Sequence, residues 1–450
     1  MAKRRPKARA STIRRLEVGL AFGTAAAGSP LPERRLGTLA EDGPRIYFEY
    51  DPAFLAAPLP VSPLRTKVAA GLFEHSDPEF DRLPGLIADS APDGWGRTVQ
   101  ERAFASRGFD PLSLTILDRL AAVGSAGMGA LTFRPVDVAR DDAADSRTSW
   151  PLDLPDLAAQ AVRLYEGSAE TLLPALRLGG GSPGGARPKV LAGLAERDGG
   201  SVDLIAGVTS ALLLGTTAAL PPDYVPYLIK FGAGNDVRRF GRDVGAIEHA
   251  YACMARGAGL DMPPTRLLGA EDGERHFATA RFDRFGPGGV GRRHMHTVGG
   301  LLHANFRIPS LDYRQILQLG LFLTRSVPTA LEILRRAAFN VFTHNRDDHV
   351  RNFAFLMDDT GQWTFSPAYD LTYSDGINGH HTTSVANVTQ QPGRAQLEYL
   401  ANELDLPPGP VQAMLDQVID QVGQWPSVAR ELGIAGATIS QLERVFTRLR

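Results

Sequence analysis

The sequence predicts an α+β fold in three parts: a β-rich N-terminal module, a mixed α/β lobe and a helical C-terminal lobe. Three observations lead there. Residues 13–65 hold short apolar segments, such as RRLEVGLAF, RRLGTLA and RIYFEY, set apart by Gly, Pro and Asp turn signals. Between 178 and 285, strand-like runs alternate with one clear helical pattern. From about 311 onward, apolar residues recur mostly at helical spacing. At 450 residues the chain is too long for one small core. We expect the module at 1–137, the α/β lobe at 150–285 and the helical lobe at 286–450.

After the first strands, FDRLPGLIADSAPDGWGRTVQERAFA at 80–105 reads as a turn followed by a helix. The polar run VARDDAADSRTS at 138–149 is the best linker, and a helix fits DLPDLAAQAVRLYEG beyond it. A glycine-rich hairpin, LGGGSPGGARPKVLAGL, is expected at 178–194, and a strand, YVPYLIKFG, at 224–232. Val244, Ile247, Tyr251, Met254 and Ala258 then recur at helical spacing. HFATARFDRF at 276–285 reads as another strand, closed by the loop GPGGVGRR. Further on, Leu331, Leu334, Ala338 and Val341 line one helix face, and two last helices fit 409–424 and 437–450. No internal repeat is visible.

Composition narrows the class. A net charge of -2 gives no global pull toward nucleic acid or an anionic membrane. No apolar run approaches bilayer length, and no signal-peptide segment follows the basic start MAKRRPKARA. Lys3, Arg4, Arg5, Lys7 and Arg9 in that start read either as an arm touching nucleic acid or, by preference, as a frayed, solvated terminus. The single cysteine, Cys253, cannot form an internal disulfide, which fits a reducing cytoplasm.

The chemistry concentrates in four segments. In NRDDHVRNFAF at 345–355, Asp347 and Asn352 have the D-x-x-x-x-N spacing of a protein-kinase catalytic loop. Such a loop can aim one carboxylate at a substrate hydroxyl and an amide oxygen at Mg²⁺. The plainer reading is a capped helix end with solvated charges. In SPAYDLTYS at 366–374, Asp370 follows an aromatic run, where a nucleotide-bound Mg²⁺ needs a carboxylate; an isolated Asp before a loop is more often a turn residue. Lys230 sits inside the apolar YLIKFG, so its ammonium must be paired or reach solvent, and Glu248 on the next helix is its expected partner. Seen singly, these are a snorkelling lysine and a surface glutamate. Finally, GGGSPGGARPK at 179–189 would let backbone N–H groups approach phosphates, but it is not a Walker A loop. In isolation it reads as a flexible hairpin.

Each signal is weak alone, and their order along the chain carries the weight. Glycine loop, Lys230, Glu248, Asp347 with Asn352, then Asp370 is the order of a protein-kinase-like two-lobed fold that uses ATP and Mg²⁺. The gap from the glycine loop to Lys230 is longer than a simple hairpin needs. A metal hydrolase competes for the same residues, since His344, Asp347, Asp348, His349, His380 and His381 mix His and Asp donors. No H-E-x-x-H pair supports it.

Together these motifs resemble the HipA family, the serine/threonine kinase toxins of bacterial toxin–antitoxin pairs. RRLGTLAEDGPRIYFEYDPAFL and FDRLPGLIADSAPDGWGR look like its N-terminal module, and GGSPGGARPK like its glycine-rich loop. YLIKFG resembles its lysine strand, RFDR at 281–284 its hinge, NRDDHVRN its N-x-D-x-H-x-x-N catalytic loop and SPAYDL its metal-binding segment. The resemblance implies that Asp347 orients or deprotonates the acceptor hydroxyl and that Asn352 and Asp370 hold Mg²⁺. It implies that Lys230, held by Glu248, contacts the ATP phosphates, with His349 close by and Gly181, Gly184 and Gly185 in the loop over them. Backbone groups around Arg281 and Phe282 would hold adenine. Ser182 falls where family members carry a self-phosphorylated serine that shuts the enzyme down. Family substrates are aminoacyl-tRNA synthetases, and the usual partner is a small helix-turn-helix antitoxin. DNA contact would then run only through the antitoxin, with no membrane role. The chain departs at Ala280, where glutamate is common, at Asp348, often glycine, and at Pro183, directly after Ser182.

Three function classes stand open. The leading one is a protein kinase acting as a toxin. The second is a small-molecule phosphotransferase, against which the N-terminal module and RFDR speak. The third is a pseudokinase serving as a binding or transcriptional co-regulatory module, against which retention of Lys230, Asp347, Asn352 and Asp370 speaks.

Overall fold

Apolar and polar residues alternate in RLEVGLA, and this segment forms β1 (Arg15–Ala21), with Leu16, Val18 and Leu20 fully buried. β1 lies in an antiparallel sheet with β2 (Glu33–Asp42), β3 (Arg45–Tyr50), β4 (Leu72–His75) and β5 (Leu131–Pro135), in the order β4-β3-β2-β1-β5. The first three strands were expected from the sequence. β4 is only half-apolar, and β5 returns from far along the chain to pair with β1. The computed structural model describes residues 13–23, 32–136, 153–169, 176, 185–195, 212–213, 220, 222–269 and 273–447. The basic start, the linker expected at 138–149 and most of the glycine-rich hairpin lie outside them.

A second antiparallel sheet follows, with β6 (Lys189–Ala195), β7 (Leu212–Leu213), β8 (Tyr224–Lys230), β9 (Thr265–Gly269) and β10 (Arg275–Ala280) in the order β7-β6-β8-β10-β9. Its register sets Lys189 opposite Lys230. Helix Val244–Gly257 packs on β10. There Gly245 allows the close approach, because a Cβ at that position would sit 2.1 Å from the Arg275 carbonyl oxygen. The strand expected over 276–285 stops at Ala280. Beyond Arg281, whose N–H still bonds to the Pro226 carbonyl, the chain leaves the sheet, and the Asp283 and Arg284 side chains are bonded to Arg281 or to the module.

The C-terminal part is mostly helical, as its apolar periodicity predicts. Helix Val327–Phe342 starts where Ser326 accepts a hydrogen bond from the Thr329 N–H, with proline in the first turn. Helices Tyr313–Thr324, Pro408–Gly423 and Gly436–Thr447 pack around it or its neighbours. A small antiparallel sheet of His294–Thr297, Ala354–Met357 and Trp363–Phe365 backs the segment after the D-x-x-x-x-N loop. The likeness to known structures given below makes this α+β arrangement a kinase-like fold.

Two apolar cores organise these layers. One runs without a break from the module (Leu16, Phe48, Leu86) into the helical lobe (Val298, Phe339, Leu415). The other lies under the second sheet and recruits Trp95 and Val99 from the module. The module is thus packed against both lobes. Among the described residues no helix is long and apolar enough to cross a membrane.

Candidate active site

Lys230 ends β8 with its side chain buried, so its ammonium needs partners. It has two. Glu248, on the buried face of helix Val244–Gly257, forms the expected ion pair with it. Asp370 Oδ1 lies 2.5 Å from the same Nζ. Burial opposes the charge on Lys230, but the two carboxylates, Asp370 first, raise its pKa. Burial would push the Asp370 carboxyl up, yet Lys230 and then Lys189 hold it well below the usual carboxylate range. Asp370 also adopts φ +56°, a conformation that residues other than glycine seldom use. Such strain persists only where the surroundings impose it. Here the preceding segment is tied down by Arg336 Nη2, which donates to the Ser366 carbonyl at 2.7 Å, and by the Tyr369 hydroxyl, which donates to the Arg351 carbonyl at 2.6 Å.

The D-x-x-x-x-N loop closes on itself: Asn352 Nδ2 donates to the Asp347 carbonyl at 2.7 Å. The amide nitrogen is thereby used inside the loop, and the amide oxygen is the atom suited to a cation. Asp347 itself is exposed at the loop's tip. Its carboxyl is nevertheless crowded by protein, and this desolvation raises its pKa; His349 and Arg187 oppose the rise, Asp370 and Asp348 add to it. His349 packs edge-on against Phe306, with ring centroids 5.6 Å apart, and its Nδ1 is buried without a hydrogen-bond partner among the described residues.

These side chains meet in one open cleft whose empty space, mouth and adjoining solvent included, is about 1150 Å³. Lys230, Asp370, Asn352, His349, Arg281, Phe282 and Gly185 line it, and Glu248 stands behind Lys230. Asp347 is not part of the lining. Gly181, Ser182, Pro183 and Gly184 lie outside the described residues. The Arg281 N–H already donates to the Pro226 carbonyl at 2.9 Å, so it belongs to the sheet, while the Phe282 ring lies against Tyr369.

The RFDR side chains serve the module. Asp283 is fully buried, accepts from the Gly129 N–H at 2.7 Å, and pairs with Arg281 at 2.7 Å and Arg284 at 2.6 Å. Both arginines also donate to the Gly127 carbonyl at 2.9 Å.

The histidines and Asp348 of the metal-hydrolase reading do not converge. His344 stacks on Tyr373, and His380 Nδ1 lies 2.8 Å from Thr389 Oγ1. Buried Asp348 accepts from Tyr313 Oη at 2.9 Å and lies 2.9 Å from His381 Nδ1. It therefore anchors the segment after Asp370. Among the described residues no three His, Cys, Asp or Glu side chains are placed to hold a metal.

Sequence reasoning missed several cleft residues. Lys189 lines the cleft opposite Lys230, in the apolar run PKVLAGL. The signal that singled out Lys230, a lysine inside an apolar strand, was there too. Asp89 and Asp93 come from the module. Asp89 accepts from the Thr297 N–H at 2.7 Å and its Oδ2 lies 2.6 Å from His296 Nδ1, while Asp93 pairs with Arg351 at 2.9 Å. No local pattern marks them, because their place depends on how the module docks.

Residues 181–425 match the family model of the HipA-like C-terminal domain, and residues 30–134 match that of the HipA N-terminal domain. Over 135 residues the chain is 30% identical to a Sinorhizobium fredii protein named "Putative kinase Y4dM". That match covers 28% of this chain and 32% of the relative, so the chain spans about a third of the length of the curated relative it matches. Among solved structures, the chain is similar to HipA in the Shewanella oneidensis complex of HipA, HipB and operator DNA. The TM-score is 0.64 over 96% of this chain and 95% of that one, at 15% identity, a likeness that shows the fold. Similarity to the Helicobacter pylori proinflammatory kinase CtkA, at 9% identity and TM-score 0.23 over 49% of this chain and 92% of that one, is too low to add to the argument. Since the C-terminal family model alone spans more than half of the sequence, this chain belongs to the HipA family.

Proposed function

We propose that this protein is an ATP-dependent serine/threonine protein kinase, the toxin of a toxin–antitoxin pair, acting on a translation-related protein such as an aminoacyl-tRNA synthetase. The observation that carries the reading is the clasp of Lys230 between Glu248 and Asp370, in one cleft with Asn352 and His349. Lys230 and Lys189 bring two buried amino groups to that cleft, donors suited to phosphate oxygens. Asp370 and the Asn352 amide offer two oxygen donors, the kind and number that Mg²⁺ takes from a protein while keeping phosphate and water ligands.

In this reading Mg²⁺ on ATP supplies neutralisation of the phosphate charge. The chain's own residues do the rest. Lys230, fixed by Glu248, and Lys189 hold phosphate oxygens. His349, whose buried Nδ1 has no hydrogen-bond partner among the described residues, serves the same group. Asp347, exposed beside the cleft and with a raised pKa, orients the acceptor hydroxyl and takes up its proton. The exposure of Asp347 suits a protein acceptor that approaches from outside. The fold likeness to HipA in a complex with HipB and operator DNA supports a helix-turn-helix antitoxin of that type as partner, with DNA reached only through it. Ser182 is proposed as a self-phosphorylated serine, on its place in the glycine-rich segment before Gly185.

Calorimetry of ATP with and without Mg²⁺ tests the site. Wild-type protein should bind ATP more tightly with Mg²⁺, and Asp370→Asn should lose that gain, because a neutral amide is a poor ligand for a hard cation. An undiminished Mg²⁺ gain in the variant would remove Asp370 from the metal site.

A further inference from the structure

The turn that enters helix Gly94–Ser106 belongs to the N-terminal module, yet it lies inside the cleft. Asp89, Ser90, Ala91 and Asp93 all line it. Asp93 is buried and divides its carboxylate between two distant parts of the chain. Oδ1 accepts from the Gly185 N–H at 2.7 Å, at the end of the glycine-rich segment. Oδ2 accepts from Arg351 Nη1 at 2.9 Å, one residue before Asn352. Arg351 is itself aligned by the Phe306 ring, 4.2 Å below its guanidinium carbon.

The next two residues extend the contact. The Trp95 N–H donates to the Gly185 carbonyl at 3.1 Å, and the Trp95 indole N–H donates to the Lys189 carbonyl at 2.7 Å. Gly94 has φ +33°, and a Cβ there would sit 2.8 Å from the Gly185 carbonyl oxygen, so the two segments touch backbone to backbone. A Cβ on Gly185 would in turn lie 2.7 Å from Lys189 Nζ. Residues 93–95 thus hold both ends of the short stretch that carries Lys189 into the cleft.

We infer that the N-terminal module is a working wall of the nucleotide cleft, and that Asp93 is a positioning residue that fastens the Gly185–Lys189 stretch to Arg351 beside the catalytic loop. The inference rests on the reading of this cleft as a Mg²⁺–ATP site. The pair is charged, mostly desolvated and hydrogen-bonded, so its loss should be felt in nucleotide affinity. Asp93→Asn is nearly isosteric and keeps an acceptor for the Gly185 N–H, which leaves packing intact while removing the charged acceptor from Arg351.

The test is calorimetry of Mg²⁺–ATP binding to the full chain, for wild type, Asp93→Asn, Arg351→Gln and the double variant. Thermal unfolding without nucleotide is recorded for each. Expected is a loss of about tenfold or more in affinity for Asp93→Asn, the size of a charge-assisted hydrogen bond. Arg351→Gln should lose a similar factor, and the double variant little more than either, since both remove one interaction. Near wild-type affinity in Asp93→Asn, or losses that multiply in the double variant, would overturn the inference. Should Asp93→Asn unfold, Arg351→Gln decides by the same criterion. Absence of Mg²⁺–ATP binding by wild type would instead sink the nucleotide reading itself, so the two failures are told apart.

Discussion

Lys189 and Lys230 face each other across the β6–β8 pair, both buried, and their environments treat them differently. Lys230 has two carboxylates at contact distance and stays charged. For Lys189 burial prevails and draws the pKa down from 10.5 to about 8, with Asp370 only partly opposing. Between those two values the folded chain holds fewer protons at Lys189 than the unfolded chain. Through this group the stability of the free protein rises with pH across that window. Bound phosphates favour the charged lysine, so nucleotide affinity should fall over the same window. We predict proton uptake on Mg²⁺–ATP binding near the pKa of about 8, measured by calorimetry in two buffers of different ionisation enthalpy. Lys189→Met should abolish it, and uptake that persists in that variant would contradict the role given to Lys189. Lys230 and its partner Glu248 were legible in the sequence because a charge inside an apolar run demands a partner, whereas Asp370 was expected only as a metal ligand and its contact with Lys230 was not. Lys189 carried the same mark but followed a glycine-rich stretch that drew attention to its backbone.

At the scale of elements, the loop bearing Asp347 is held from behind. Asp348 Oδ1 accepts from the Thr382 N–H at 2.9 Å and the Thr383 N–H at 3.2 Å, in addition to the bonds with Tyr313 and His381. Asp348→Ala would orphan these buried groups, and we predict a destabilisation of about 3 kcal/mol. Denaturant melts check this; a change below about 1 kcal/mol, ordinary for a surface site, would contradict the anchor. The helix that carries Glu248 was readable from its period, whereas its depth on the sheet was not. That depth depends on Gly245, where any side chain meets the Arg275 carbonyl. Gly245→Val should push the helix outward and part Glu248 from Lys230. The expected readout is an ATP affinity reduced at least as far as in Glu248→Ala; unchanged affinity would show that the helix tolerates the shift.

At the scale of the whole molecule, one core joins module and helical lobe, and polar contacts reinforce it. Helix Gly85–Ala88 packs on helix Val298–Leu302, Ser62 Oγ lies 3.1 Å from His296 Nε2, and His294 Nε2 lies 3.0 Å from the Val61 carbonyl. A fragment of residues 138–450 should therefore expose apolar surface, bind a hydrophobic dye and melt without cooperativity. A sharp calorimetric transition for that fragment would contradict the shared core. This union was not legible in the sequence, which shows periods and motifs within segments but not which segments meet. The central claim, phosphoryl transfer from ATP, is tested most directly with γ-labelled ATP, Mg²⁺ and a cell lysate, comparing wild type with Asp347→Ala. Wild type should give labelled protein and Asp347→Ala none above background, while the variant still binds Mg²⁺–ATP. Equal labelling by the two proteins, or none by wild type, would contradict it.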